Sequence, residues 1–146
     1  MRLNQDFKEF VELLNYHKVE YLIIGGYAVA YYGYPRYTGD IDIWVNNSVE
    51  NSKKMVSVVN NFGFSSLNIG EKDFQKKDIV FQLGYPPNRI DILTSVTGLD
   101  FNNCYDKRNI YNEGGFEINF IDLENLKVNK KATGRAIDIA DIENLP

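Results

Sequence analysis

The segment Asp40-Ile41-Asp42-Ile43-Trp44-Val45 constrains this chain more than any other. Strict acid/apolar alternation is the pattern of a strand with one buried face, and residues two apart then share a face. Asp40 and Asp42 therefore stand side by side, while Ile41 and Ile43 enter the core. Asp is a poor strand former, and two like charges on one face repel unless a cation or ligand neutralises them. A third acid repeats the pattern in Ile90-Asp91-Ile92. If the two strands are neighbours, Asp40, Asp42 and Asp91 form an all-oxygen cluster suited to a hard divalent cation such as Mg²⁺ or Mn²⁺. The competing explanation is three acids on a solvated sheet face.

Composition narrows the chemistry. The 146 residues contain one Cys (Cys104) and one His (His17). These counts exclude an internal disulfide, a multi-cysteine zinc site and a two-His metal site within one chain. Lys and Arg total 16 against 20 Asp and Glu, a net charge of −4, which argues against holding nucleic acid by bulk charge. No apolar run approaches the ~20 residues of a membrane span, and no signal-peptide pattern opens the chain. A cytoplasmic protein of one domain over residues 1–146, with no membrane partner, is expected.

The pattern of the remaining residues predicts an α+β domain with its sheet in the middle. Leu3, Phe7, Phe10, Val11 and Leu14 mark one helical stripe, with His17 at its end. A buried strand, Tyr21–Ile24, is followed by Gly25-Gly26 and a short helix over Tyr27–Tyr32. A second amphipathic helix covers Val49–Phe62, and residues 65–75 are expected as loop. Ile79–Leu83 and Arg89–Leu93 form a hairpin around Gly84-Tyr85-Pro86-Pro87-Asn88. Leu99–Arg108 reads as helix, then Asn109-Ile110-Tyr111 and Phe116–Phe120 as strands. Two helices separated near Thr133-Gly134 fill Asp122–Leu145, with Asp122 as N-cap.

Gly25-Gly26 lies between a buried strand and a helix, where backbone N–H groups can meet a phosphate without side-chain obstruction. A Gly-Gly pair alone is as readily a tight turn, and neither G-x-G-x-x-G nor G-x-x-x-x-G-K-[ST] occurs. Order and distance strengthen the phosphate reading: strand, Gly-Gly, short helix, then Arg36-Tyr37-Thr38-Gly39-Asp40-Ile41-Asp42, with 13 residues between Gly26 and Asp40.

In these features the chain resembles the DNA polymerase β-like nucleotidyltransferase superfamily. Its signature is an apolar strand, Gly-Gly or Gly-Ser, a short spacer and Asp-x-Asp. The likeness extends to small bacterial nucleotidyltransferase-like proteins of toxin–antitoxin and abortive-infection systems, in which Arg-x-Thr-x-Asp-Ile-Asp is typical. Arg36, Thr38, Asp40, Ile41 and Asp42 match it. Their C-terminal pattern is matched by Asp122-Leu123-Glu124-Asn125-Leu126-Lys127, Gly134-Arg135 and Asp138-Ile139-Ala140-Asp141.

The resemblance implies a nucleotidyltransferase fold, a central mixed sheet flanked by helices with two more at the C-terminus. It implies transfer of NMP from a nucleoside triphosphate to a hydroxyl acceptor, ATP being one such donor, with release of pyrophosphate. Asp40 and Asp42 would hold Mg²⁺ or Mn²⁺, and Asp91 would be a further ligand or the base. Gly25 and Gly26 would cradle the β/γ phosphates, Arg36 and Thr38 would orient the acids or touch phosphate, and Lys127 would contact phosphate. Gly26 stands where many members carry Ser, so one hydroxyl contact is missing. Lys130, Lys131 and Arg135 are either a basic rim or a solvated helix face. Asp138 and Asp141, three apart on a helix, either brace the site by pairing with Arg36, Lys127 or Arg135, or lie exposed. The acceptor, a protein, an RNA or a small molecule, has no signature here, nor has the oligomeric state. The alternative is a non-catalytic nucleotide-binding antitoxin or regulatory partner. A phosphatase or nuclease using the same acids fits the Gly-Gly turn less well.

Overall fold

The amphipathic stripe at the start of the chain does form a helix, α1 (Gln5–Tyr16), capped by the Asn4 side chain accepting from the Phe7 N–H at 2.9 Å. The computed structural model describes residues 3–146. The α1 stripe buries Phe7, Phe10, Val11 and Leu14. His17 is the C-cap, its N–H bonded to the Leu13 carbonyl at 3.0 Å. The chain then passes through β1 (Tyr21–Ile24), α2 (Gly25–Tyr31) and β2 (Asp40–Val45). Next come α3 (Val49–Val59), α4 (Glu71–Gln75), β3 (Val80–Leu83), β4 (Arg89–Leu93) and α5 (Phe101–Asp106). A second hairpin, β5 (Asn109–Glu113) and β6 (Phe116–Phe120), precedes α6 (Leu123–Thr133) and α7 (Ala136–Asn144).

The six strands form one mixed sheet in the order β3-β4-β2-β1-β6-β5. β2 lies between β1, antiparallel to it, and β4, parallel to it. Alternation sends Ile41, Ile43 and Val45 of β2, with Ile90 and Ile92 of β4, to one face, where all are buried in the core with the α1 stripe and with Met55 and Val59 of α3. Trp44 lies on the opposite face, as Asp40 and Asp42 do, and is covered by Phe101 of α5 edge-on at 5.1 Å. That face is closed at the C-terminal end of β2 and open at its acidic start.

Residues 65–75 depart from the loop expectation. They hold a short 3₁₀ turn, Ser65–Leu67, and α4. Five residues are too few to show a helical period. The helix exists because the Asp73 carboxylate accepts from the Gly70 N–H at 2.8 Å and Phe74 is buried against Phe81 at 4.7 Å. α2 begins two residues earlier than expected, and α3 passes at Asn60–Phe64 into a wider turn containing Gly63 at φ 109°. Asp122 is the N-cap of α6, accepting from the Asn125 N–H, and Gly134 at φ 61° separates the last two helices. Among the described residues no helix is long and apolar enough to cross a membrane.

Candidate active site

Strand register brings the acids together. β2 and β4 run parallel with Asp40 opposite Arg89 and Asp42 opposite Asp91, so four ionisable side chains share one face. The carboxylates of Asp40, Asp42 and Asp91 each offer an oxygen, and these oxygens lie within 4.8 Å of one another. An oxygen-only donor set of this size fits a hard divalent cation. Arg89 is the residue sequence reasoning missed. Its Nε donates to Asp91 Oδ1 at 2.8 Å, and its Nη2 donates to Asp91 Oδ2 at 3.0 Å and to Asp40 Oδ2 at 2.6 Å. The signal was present in the sequence, since Arg89 stands two residues before Asp91 on a strand and so shares its face.

The three acids differ in environment. Asp42 is the least compensated: burial first, then the charges of Asp40 and Asp91, push it from 3.8 up to about 7, while Lys130 and Arg89 relieve it only through charge. Asp91 is also raised by burial, against the hydrogen bond from Arg89. Asp40 accepts from the Thr38 hydroxyl at 3.3 Å, and that hydroxyl also reaches the Asp40 main-chain carbonyl at 3.1 Å.

Gly25 and Gly26 bring the start of α2 against this cluster. Gly25 has φ +68°, and a Cβ there would sit 2.1 Å from Asp42 Oδ2 and 3.0 Å from its Cγ. A Cβ on Gly26 would sit 2.9 Å from Thr38 Oγ1. Glycine is needed at these positions because Asp42 and Thr38 occupy the space a side chain would take. No side chain caps α2, and the first-turn amides of any helix have no partner within it.

The wall across from the acids comes from α6 and α7. Asp138 and Asp141 of α7 are fully buried, and they are not exposed helix-face acids. Asp141 takes Arg36 in a two-pronged pair at 2.8 and 2.9 Å and Lys130 at 2.9 Å. Asp138 accepts from Arg135 Nε at 2.8 Å, the Thr133 hydroxyl at 2.7 Å and Lys130 at 3.3 Å. Burial alone would raise Asp138, but the hydrogen bonds from Arg135 and Thr133 hold it well below the usual carboxylate range. Two aspartates thus fix three cations, Arg36, Lys130 and Arg135. These line the same cleft of about 560 Å³ as Gly25, Asp42 and Asp91.

Lys127 is not among the residues that line the cleft. Its Nζ instead donates to the Pro146 oxygen. α6 buries Leu126, Asn129 and Lys130. Lys130 falls within that buried face, whereas Lys127, turned about 100° from Leu126 around the helix, lies half-buried at its flank. Lys130 occupies the inward place, and Lys127 does not pair with Asp138 or Asp141. Of the other predicted site residues, Asp40, Asp42, Asp91, Gly25, Gly26, Arg36 and Thr38 all line the cleft.

No protein-family model matches the chain, and no curated protein matches it in sequence. Among solved structures, the crystal structure of a candidate nucleotidyltransferase from Thermotoga maritima is similar, with a TM-score of 0.61. The match covers 94% of this chain and 88% of that one at 16% identity. At that identity the likeness establishes the fold: an α+β, nucleotidyltransferase-like fold with a central mixed sheet and two C-terminal helices.

Proposed function

We propose that this chain is a Mg²⁺- or Mn²⁺-dependent nucleotidyltransferase that takes a nucleoside triphosphate as donor and a hydroxyl as acceptor. The observation that carries this reading is the cleft itself. Three carboxylates on one wall face three buried-aspartate-held cations on the other, with a glycine turn between them. Such polarity suits a polyphosphate bridged to acids by a metal ion.

Asp40, Asp42 and Asp91 would hold the ion. Its contribution when bound is to neutralise charge on the phosphate oxygens as the reaction proceeds. The amides at Gly25 and Gly26 would receive the β/γ phosphates, and Arg36, Lys130 and Arg135 would set their orientation. These cations are fixed in advance by Asp138 and Asp141, so little ordering remains when the nucleotide arrives. The acceptor oxygen attacks the α-phosphorus, the bond to the β-phosphate oxygen breaks, and pyrophosphate leaves. The hydroxyl proton passes to the Asp91 carboxylate.

A second reading is favoured by one observation. Arg89 already neutralises Asp40 and Asp91, which a non-catalytic nucleotide-binding partner or antitoxin-like protein would need as well. Incubation with α-labelled nucleotides, Mn²⁺ and cell extract separates the two. Label transferred to a macromolecule by the natural chain, and lost in Asp40→Ala with its fold intact, supports transfer. Nucleotide binding without transfer under every condition supports the partner reading.

A further inference from the structure

We propose that Arg89 is the resident counter-ion of the acid cluster, and that a divalent ion enters by displacing its guanidinium. The inference rests on the metal-dependent reading above. Four cations line the cleft, and their partners divide them cleanly. Arg36, Lys130 and Arg135 are tied to Asp141 or Asp138, away from the cluster. Among the described residues, Arg89 is the cation bonded to the cluster itself, bridging Asp40 and Asp91 at 2.6, 2.8 and 3.0 Å.

The bridge satisfies the same oxygens a divalent ion would need. Mg²⁺ sits about 2.0–2.1 Å from its oxygens, so ion and guanidinium would crowd positive charge into one small space. Arg89 can move where Lys130 cannot. Its side chain is 27% exposed, against 4% for Lys130, which Asp138 and Asp141 clamp in place. Its backbone is fixed in β4 opposite Asp40. A displaced guanidinium therefore stays at the cleft mouth, close enough to meet phosphate oxygens. Arg suits this exchange because its planar fork grips Asp91 with two donors while reaching Asp40, a geometry a point-charge ammonium lacks.

The apparent metal affinity is reduced by the fraction of molecules in which the acids are free. A guanidinium seated about nine-tenths of the time weakens binding about tenfold.

Mn²⁺ binding to the full chain tests this without any activity measurement. Titration calorimetry and the electron paramagnetic resonance signal of free Mn²⁺ report affinity, and circular dichroism checks the fold. Arg89→Gln is expected to bind Mn²⁺ about tenfold more tightly than the natural chain. Arg89→Lys keeps the charge but loses the bridge, and is expected to bind several-fold more tightly. Asp42→Asn, made in the natural and the Arg89→Lys backgrounds, should abolish Mn²⁺ binding in both. Arg89→Lys binding no more tightly than the natural chain overturns the proposal, even if Arg89→Gln gains, because the gain would then be one of net charge alone. If Arg89→Gln does not fold, the Arg89→Lys comparison still decides. Failure of the natural chain and both Arg89 variants to bind Mn²⁺ overturns the metal reading itself, and this inference with it.

Discussion

In the folded chain the Asp42 carboxylate carries its charge at a cost. Burial and the charges of Asp40 and Asp91 move it from 3.8 to about 7. Unfolding returns it to the ordinary carboxylate value. Between those values the folded state holds a proton that the unfolded state has released, so stability falls as pH rises through that window. The rise from 3.8 to about 7 corresponds to about 4 kcal/mol. Solvent at the open cleft reduces this to about 2–3 kcal/mol. Asp42→Asn keeps the shape and removes the charge. In urea unfolding with a chelator present at about pH 8, the variant should be more stable than the natural chain by about 2–3 kcal/mol. Near pH 4 the two should agree within about 0.5 kcal/mol. Asp138 and Asp141 do not confuse the comparison, because both are lowered. Their contribution is complete above the ordinary carboxylate value and is lost only below it. Added Mn²⁺ should restore the natural chain and leave the variant unmoved. An Asp42→Asn chain no more stable than the natural one at pH 8, or with the same slope between pH 4 and 7, would refute the account of this site.

Two further substitutions probe the walls of the cleft. Asp138→Ala removes a fully buried carboxylate from Arg135, Thr133 and Lys130. It should cost about 3–5 kcal/mol in chemical denaturation, and a loss below about 1 kcal/mol would mean the network contributes little. Gly25→Ala places a methyl 2.1 Å from Asp42 Oδ2 at φ +68°. The backbone cost is about 1–2 kcal/mol. The carboxylate must turn out of the cluster, so Mn²⁺ affinity should fall about tenfold or more. Natural affinity in that variant would show that the glycine serves the turn alone.

The acidic strand pair was legible because period-two alternation states both the element and the face. Asp40, Asp42 and Asp91 needed only adjacency of their strands, which the register of β2 and β4 supplies. Arg89 obeys the same rule, but a single basic residue on a strand forms no pattern until the acids it meets are side by side. Lys130 was harder. Lys127 and Lys130 both lie in α6, and only its buried face, Leu126, Asn129 and Lys130, tells them apart. α4 was not legible, since its five residues are held by one cap and one buried ring. Nor could any local pattern show that Asp141 would meet Arg36, because that pairing depends on how α7 docks.

Arg36 and Asp141 are 105 residues apart in the chain, and that distance sets an order of synthesis on the ribosome. The acids are all present once Asp91 has been made, whereas Asp138 follows 138 − 91 = 47 residues later. At about 5–20 residues per second the basic wall lags the acidic one by about 2–10 seconds. During that interval Arg36 has no anchor, yet β4 delivers Arg89 in the same strand as the last acid. Synthesis thus supplies Arg89 together with the last of the acids, before the aspartates that anchor the facing wall exist.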